Sequence, residues 1–168
     1  MLMKSSISLL FLLLTATANA QSLSYQFNHL SAKQITVLKQ ACRQGIADNL
    51  CLSLAAIAWQ ESDFGKYNIN LQDPSAGWYH IRIRTALARI TPHIRNTAFN
   101  RNRVAQWLIN DPNLAGSLAI AELKYWLHYW HGNYFKAWGS YNGGYKGNRR
   151  YARAIAAKVM FLKKHLIY

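Results

Sequence analysis

Ala55–Ile81, AAIAWQESDFGKYNINLQDPSAGWYHI, decides the fold and carries the chemistry. It opens as apolar helix and closes as a polar, aromatic loop. The run Leu50–Trp59, LCLSLAAIAW, is apolar on nearly every face and reads as a buried helix. At the junction stands Glu61, one of two glutamates in the chain. It follows Ala58 and Ile57 by three and four residues and so shares their face. A carboxyl placed there is poorly hydrated. If the helix stops near Ser62–Gly65, the carboxyl also lies at the negative end of the helix dipole. Both conditions help a carboxylic acid keep its proton, which general-acid cleavage of a glycosidic bond requires.

Working outward, 168 residues, about half of them hydrophobic, suffice for one domain with a core and exclude disorder. Residues 1–20 read as a signal peptide. Lys4 supplies the positive start, Ile7–Leu14 the apolar run and Ala18-Asn19-Ala20 a small-x-small cleavage site. The expectation is export to the periplasm or cell envelope and a single domain over 21–168, with an uncleaved anchor as the alternative. No later stretch is long and apolar enough to span a membrane. The formal charge of +14 would point a cytosolic chain to nucleic acid. For an exported chain it points to wall polymers and membrane surfaces, or to a solvated basic face with no ligand. No nucleic-acid partner is expected, and a monomer is.

Cys42 and Cys51 are the two cysteines, separated by Gly45, Asp48 and Asn49. In an oxidising compartment they are expected to pair across that turn; two buried thiols are the alternative. Their spacing matches no zinc pattern, and His128 with His131 lacks a third ligand, so no metal is expected.

The remaining chain reads as helices. Gln21–Leu30 looks extended. Ser31-Ala32-Lys33-Gln34 forms a capping box for a helix to about Gln44, with Ile35, Leu38 and Cys42 inward. Gly65–Gly77 reads as an irregular loop with room for a short hairpin, and Ile81–Ile90 as helix. Asn100 caps a helix over Arg101–Ile109. Asp111, with Pro112 at the first position, caps a long one to Trp130, which looks like the central core helix through Leu114, Leu118, Ala121 and Tyr125. Tyr134–Ser140 reads as a short helix and Tyr141–Gly147 as a loop. Asn148 caps the last helix, with Lys158 among its outward residues. The fold class is therefore mainly α, with a small β element in the 65–81 segment at most.

Three motifs stand in order: Glu61-Ser62 closing an apolar helix, Ser75-Ala76-Gly77-Trp78-Tyr79-His80-Ile81, and Ser140-Tyr141-Asn142-Gly143-Gly144 with Arg150-Tyr151 beyond. Together they resemble the lytic transglycosylases of the soluble-lytic-transglycosylase family. There the segments read Glu-Ser, Gly-Leu-Met-Gln-Ile and Ala-Tyr-Asn-Ala-Gly, followed by a tyrosine. Trp78, Tyr79 and His80 depart from Leu, Met and Gln. The resemblance implies a lysozyme-like fold, Glu61 as the one acid and base, no cofactor, and peptidoglycan as substrate. It also implies attack by the substrate's own C6 hydroxyl, giving 1,6-anhydro ends. Substrate contacts are expected from Ser62, Ser75, Gly77, Tyr79, His80, Tyr141, Asn142 and Tyr151, although the Ser62 hydroxyl serves equally well as a backbone tie at the helix end. Small size, signal peptide and cysteine pair resemble accessory enzymes of secretion or conjugation assemblies. Two other readings stay open: a lysozyme-type hydrolase with Asp63 or Asp73 as second carboxylate, and a non-catalytic cationic wall-binding protein.

Overall fold

A computed structural model describes residues 21–166. The signal-peptide reading of residues 1–20 lies outside the described residues. By its internal contacts the chain separates into Met1–Ala32 and Lys33–Tyr168. In the first unit, residues 21–28 are helical (α1), where an extended segment was expected.

The second unit is mainly α. Its helices are α2 (Ala32–Gly45, which begins at the unit boundary), α3 (Cys51–Ser62), α4 (Ile83–Ile90) and α5 (Ala98–Asn110). They are followed by α6 (Pro112–Tyr129), α7 (Tyr134–Gly143) and α8 (Arg149–His165). Three two-residue strands, β1 (Ile69–Asn70), β2 (Ser75–Ala76) and β3 (Ile81–Arg82), form an antiparallel sheet in that order. Ile69 faces Ala76, and Ala76 faces Ile81. The expected start of a helix at Ile81 is therefore two residues of strand, because Ile81 and Arg82 complete the sheet before the chain turns into α4.

The core helix is α3, not α6. Leu54, Ala55, Ala56, Ile57 and Ala58 are wholly buried, and α3 packs along α8. The inner face of α6 is Ala115, Leu118, Ala119, Leu123 and Trp126, rotated from the expected stripe; Tyr125 is exposed. Lys158 also turns inward. Its Nζ bonds Gln60 Oε1 at 2.9 Å and lies over the Trp59 ring, and burial pulls its pKa down. In α2 the buried residues are Val37, Leu38, Ala41 and Gly45, while Ile35 is exposed.

The caps explain the helix starts. Asp111 Oδ1 accepts from the backbone N–H of Asn113 and Leu114, with Pro112 at the first position. Asn148 Oδ1 accepts from Tyr151 N–H. Thr97, rather than Asn100, caps α5; its hydroxyl accepts from Asn100 N–H. Cys42 and Cys51 form a disulfide that joins α2 to the start of α3. No described helix is long and apolar enough to cross a membrane.

Candidate active site

Glu61 occupies the last turn of α3, and the way that helix ends determines what faces it. Asp63 and Phe64 both adopt left-handed backbone, with φ of 50° and 53°. The Phe64 N–H returns to the Ala58 carbonyl and the Asp63 N–H to the Trp59 carbonyl, satisfying the helix end. Phe64 then buries its ring against Trp59 at 5.5 Å. Ser62 is fully buried. Its Oγ accepts from the Gly65 N–H at 2.8 Å and lies 2.7 Å from the Trp78 carbonyl and 3.1 Å from that of Ala58. That hydroxyl ties the helix end to the 78–80 loop, the backbone role the sequence also allowed, and no face of Ser62 reaches solvent.

The tie brings His80 against Glu61. His80 Nδ1 lies 3.4 Å from Glu61 Oε2, and its Nε2 lies 2.8 Å from the Tyr67 carbonyl. A carbonyl only accepts, so Nε2 carries a proton and Nδ1 is the atom whose protonation changes. Burial pulls the His80 pKa down, but the Glu61 hydrogen bond, the Tyr67 carbonyl and the Glu61 charge outweigh it, and the net shift is upward. On the other side, Tyr151 in the first turn of α8 donates from its hydroxyl to Glu61 Oε1 at 2.6 Å. Burial first, then the Glu61 charge, holds the Tyr151 hydroxyl well above the usual phenol range, so it stays a donor.

Tyr141 was expected in a loop but lies in the last turn of α7, with Asn142. Its hydroxyl donates to the Tyr79 carbonyl at 3.0 Å. Burial, then the charges of Glu61 and Glu122, raises it well above the ordinary value. Asn142 is exposed and its Oδ1 accepts from Asn148 Nδ2 at 2.8 Å. Tyr79 is fully buried, and its hydroxyl donates away from the cleft to Gln44 Oε1 at 2.6 Å. Gly77 is likewise structural. It has φ +79°, and a Cβ there would stand 2.5 Å from the Leu108 carbonyl, so only glycine fits.

Glu61, Ser75, His80, Tyr141 and Asn142 line one cleft of about 600 Å³, its solvent-filled mouth included. Asn70, Arg82, Thr85, Arg89, Leu118 and Glu122 also line this cleft, and none of them lies in the motifs. Glu122 accepts from Trp126 Nε1 at 2.7 Å and pairs with Arg89. Its place between Leu118 and Trp126, one helical turn from each, was the available signal. Asp73 also reaches the cleft and is held by Arg82, with Nε at 3.2 Å and Nη2 at 3.1 Å. Asp63 is not in the cleft wall; it lies 3.9 Å from Lys66. Among the described residues no group of three or more His, Cys, Asp or Glu is placed to hold a metal.

Comparison with known proteins fits this geometry. An uncharacterised 20.7 kDa protein encoded in the vs–regB intergenic region of Enterobacteria phage T4 is 29% identical over 115 residues. The matched part is 67% of this chain and 62% of the phage protein, so the chain spans less than two thirds of that relative's length. No solved structure matches. The family model described as the transglycosylase SLT domain matches residues 36–160, a stretch that takes in the end of α3, the small sheet and the start of α8. With most of its length under that model, the chain belongs to the transglycosylase SLT domain family.

Proposed function

We propose that the protein is an exported lytic transglycosylase that cleaves the β-1,4 bond between N-acetylmuramic acid and N-acetylglucosamine in peptidoglycan. Glu61 protonates the bridging oxygen as the C1–O bond breaks. The C6 hydroxyl of the same muramic acid then attacks C1, and its proton passes to the Glu61 carboxylate. The product is a 1,6-anhydro end, no water is consumed, and Glu61 is again protonated.

One observation carries this reading: of the three carboxylates in the cleft, Glu61 alone has no guanidinium partner. Asp73 is paired with Arg82 and Glu122 with Arg89. Glu61 instead faces the Tyr151 hydroxyl and the titrating nitrogen of His80. Those groups can hold a proton near Glu61 and let it leave, whereas a guanidinium would fix the anion. Tyr141 hydrogen-bonds to the Tyr79 carbonyl rather than to an acid, so its ring is a fixed wall for sugar.

Glu122 favours the hydrolase as a second reading, because it supplies the cleft with another acid. Export rests on the pattern of residues 1–20, and service to a secretion or conjugation assembly on the resemblance in small size, signal peptide and cysteine pair taken together. The test is digestion of purified sacculi by the wild type and Glu61→Gln. Loss of one general acid should lower the rate by about 10²–10⁴. A Gln variant that keeps more than about a tenth of the rate would remove Glu61 from the role.

A further inference from the structure

Helix α6 leaves the cleft at Glu122 and carries a cluster of aromatic rings on its next turns. Glu122 lines the cleft and accepts from Trp126 Nε1 at 2.7 Å. Trp126 is 5% exposed and packs as core. Three tyrosines stand edge to face around it, with ring centroids at 4.8 Å for Tyr125, 5.1 Å for Tyr145 and 5.9 Å for Tyr129. Tyr129 and Tyr145 meet each other at 5.2 Å, and the Tyr125 and Tyr145 hydroxyls are hydrogen-bonded. The rings are held from two elements, α6 and the short turn Gly144–Lys146 that follows α7. Yet they face water: Tyr125 is 43% exposed, Tyr129 44% and Tyr145 63%. Exposed rings scattered singly need no explanation, but three fixed together around one buried tryptophan mark a surface that something covers.

Given the transglycosylase reading, we infer that this cluster is a platform outside the cleft on which a sugar ring of the outgoing strand stacks, so that the enzyme favours long strands over short ones. Continuity with the cleft is the reason. Glu122 belongs to both the cleft wall and the cluster, and Asn142, also in that wall, lies three residues before Tyr145. A polymer cut in the cleft has to leave it, and at this border the exit is aromatic. A pyranose ring presents C–H faces that pack on aromatic rings and hydroxyls that reach tyrosine oxygens. The border selects no cation, because Glu122 is already taken by Arg89 and Trp126. A lipid surface is the other partner for aromatic rings on a basic protein, but a bilayer seated here would close the mouth of the cleft.

The experiment is equilibrium binding of full-length Glu61→Gln protein to peptide-free glycan, as single disaccharides and as strands of several repeats. The strands should bind about tenfold more tightly, the size of one stacked ring. Adding Tyr145→Ala should remove most of that ratio, to about twofold, and leave disaccharide binding unchanged. Tyr125→Ala should act in the same direction, and Tyr145→Phe, which keeps the ring, should hold the ratio within about twofold of the parent. Equal binding of both lengths by the Glu61→Gln protein overturns the platform while leaving the transglycosylase reading intact. So does a ratio that the alanine variants, folded by circular dichroism, leave unchanged. Cosedimentation with phosphatidylglycerol vesicles that Tyr145→Ala abolishes, with strand binding unaltered, gives the surface to a membrane instead. Failure to bind strands at all overturns the glycan reading itself and the platform with it.

Discussion

The Tyr151 hydroxyl donates to Glu61 Oε1 at 2.6 Å, although the two residues lie on different helices and 90 positions apart. Asn148 makes that contact possible by capping α8 one turn ahead of the tyrosine. Glu61 thus has one oxygen held by a phenol that does not ionise at neutral pH and the other turned to His80.

Tyr151→Phe removes that donor and leaves a carboxylate oxygen short of a partner in a part-buried site. A hydrogen bond to a charged group contributes roughly 1.5–3 kcal/mol. The rate on sacculi should fall by about 10–100-fold while the circular dichroism spectrum is kept. Wild-type turnover by the Phe variant would show that the contact plays no part in catalysis.

Asp63, Asp73 and Glu122 separate the one-carboxylate mechanism from the hydrolase. In a hydrolase a second carboxylate activates water or carries the sugar. If the attacking oxygen belongs to the substrate, Asp63→Asn, Asp73→Asn and Glu122→Gln should each stay within about tenfold of wild type, roughly 1.4 kcal/mol of barrier. Glu122→Gln should also lower the melting temperature, because it weakens the pairing with Arg89. A folded variant as inactive as Glu61→Gln would transfer the assignment to the hydrolase.

Much of this was legible in the sequence because local rules and tertiary structure agree. Asp111-Pro112 and Asn148 cap where side-chain chemistry says they should, and the all-apolar run before Glu61 is the buried helix. The exceptions have physical causes. Tyr79 follows a motif glycine, but the sequence gives no sign that Gln44, far along the chain, will take its hydroxyl. Glu122 stands two residues before Lys124 in the chain, and nothing in that spacing names the partner of either. The true partners of these two residues, Arg89 for Glu122 and Asp48 for Lys124, come from other elements. Tyr141 and Asn142 precede two glycines, which suggested a loop, yet α7 runs through Gly143 and breaks only at Gly144, where φ is positive.

His80 gives the site a pH signature. Its pKa is raised in the folded state, so its contribution to stability is fully present below the ordinary value of 6.5 and is lost as pH rises through the raised value. The stability advantage of wild type over His80→Gln, measured by urea unfolding, should therefore be larger at about pH 5.5 than at about pH 8. A difference that is flat or grows with pH would contradict the proton placement at Nδ1.

The disulfide closes a short loop, with a sequence separation of 9. In the chain-entropy account such a loop stabilises by roughly 2–3 kcal/mol. Cys42→Ser with Cys51→Ser should lower the unfolding free energy by about that amount, and an assay under denaturing, non-reducing conditions should find no free thiol in the wild type. Two titratable thiols would refute the pairing.

The central claim is that Glu61 acts alone and the substrate supplies the nucleophile. Mass spectrometry of the muropeptides released from purified sacculi tests it most directly, because anhydro-muramic and reducing ends differ by one water. Wild type should release anhydro ends throughout, and Glu61→Gln should release none. Release of reducing ends by the wild type would contradict it.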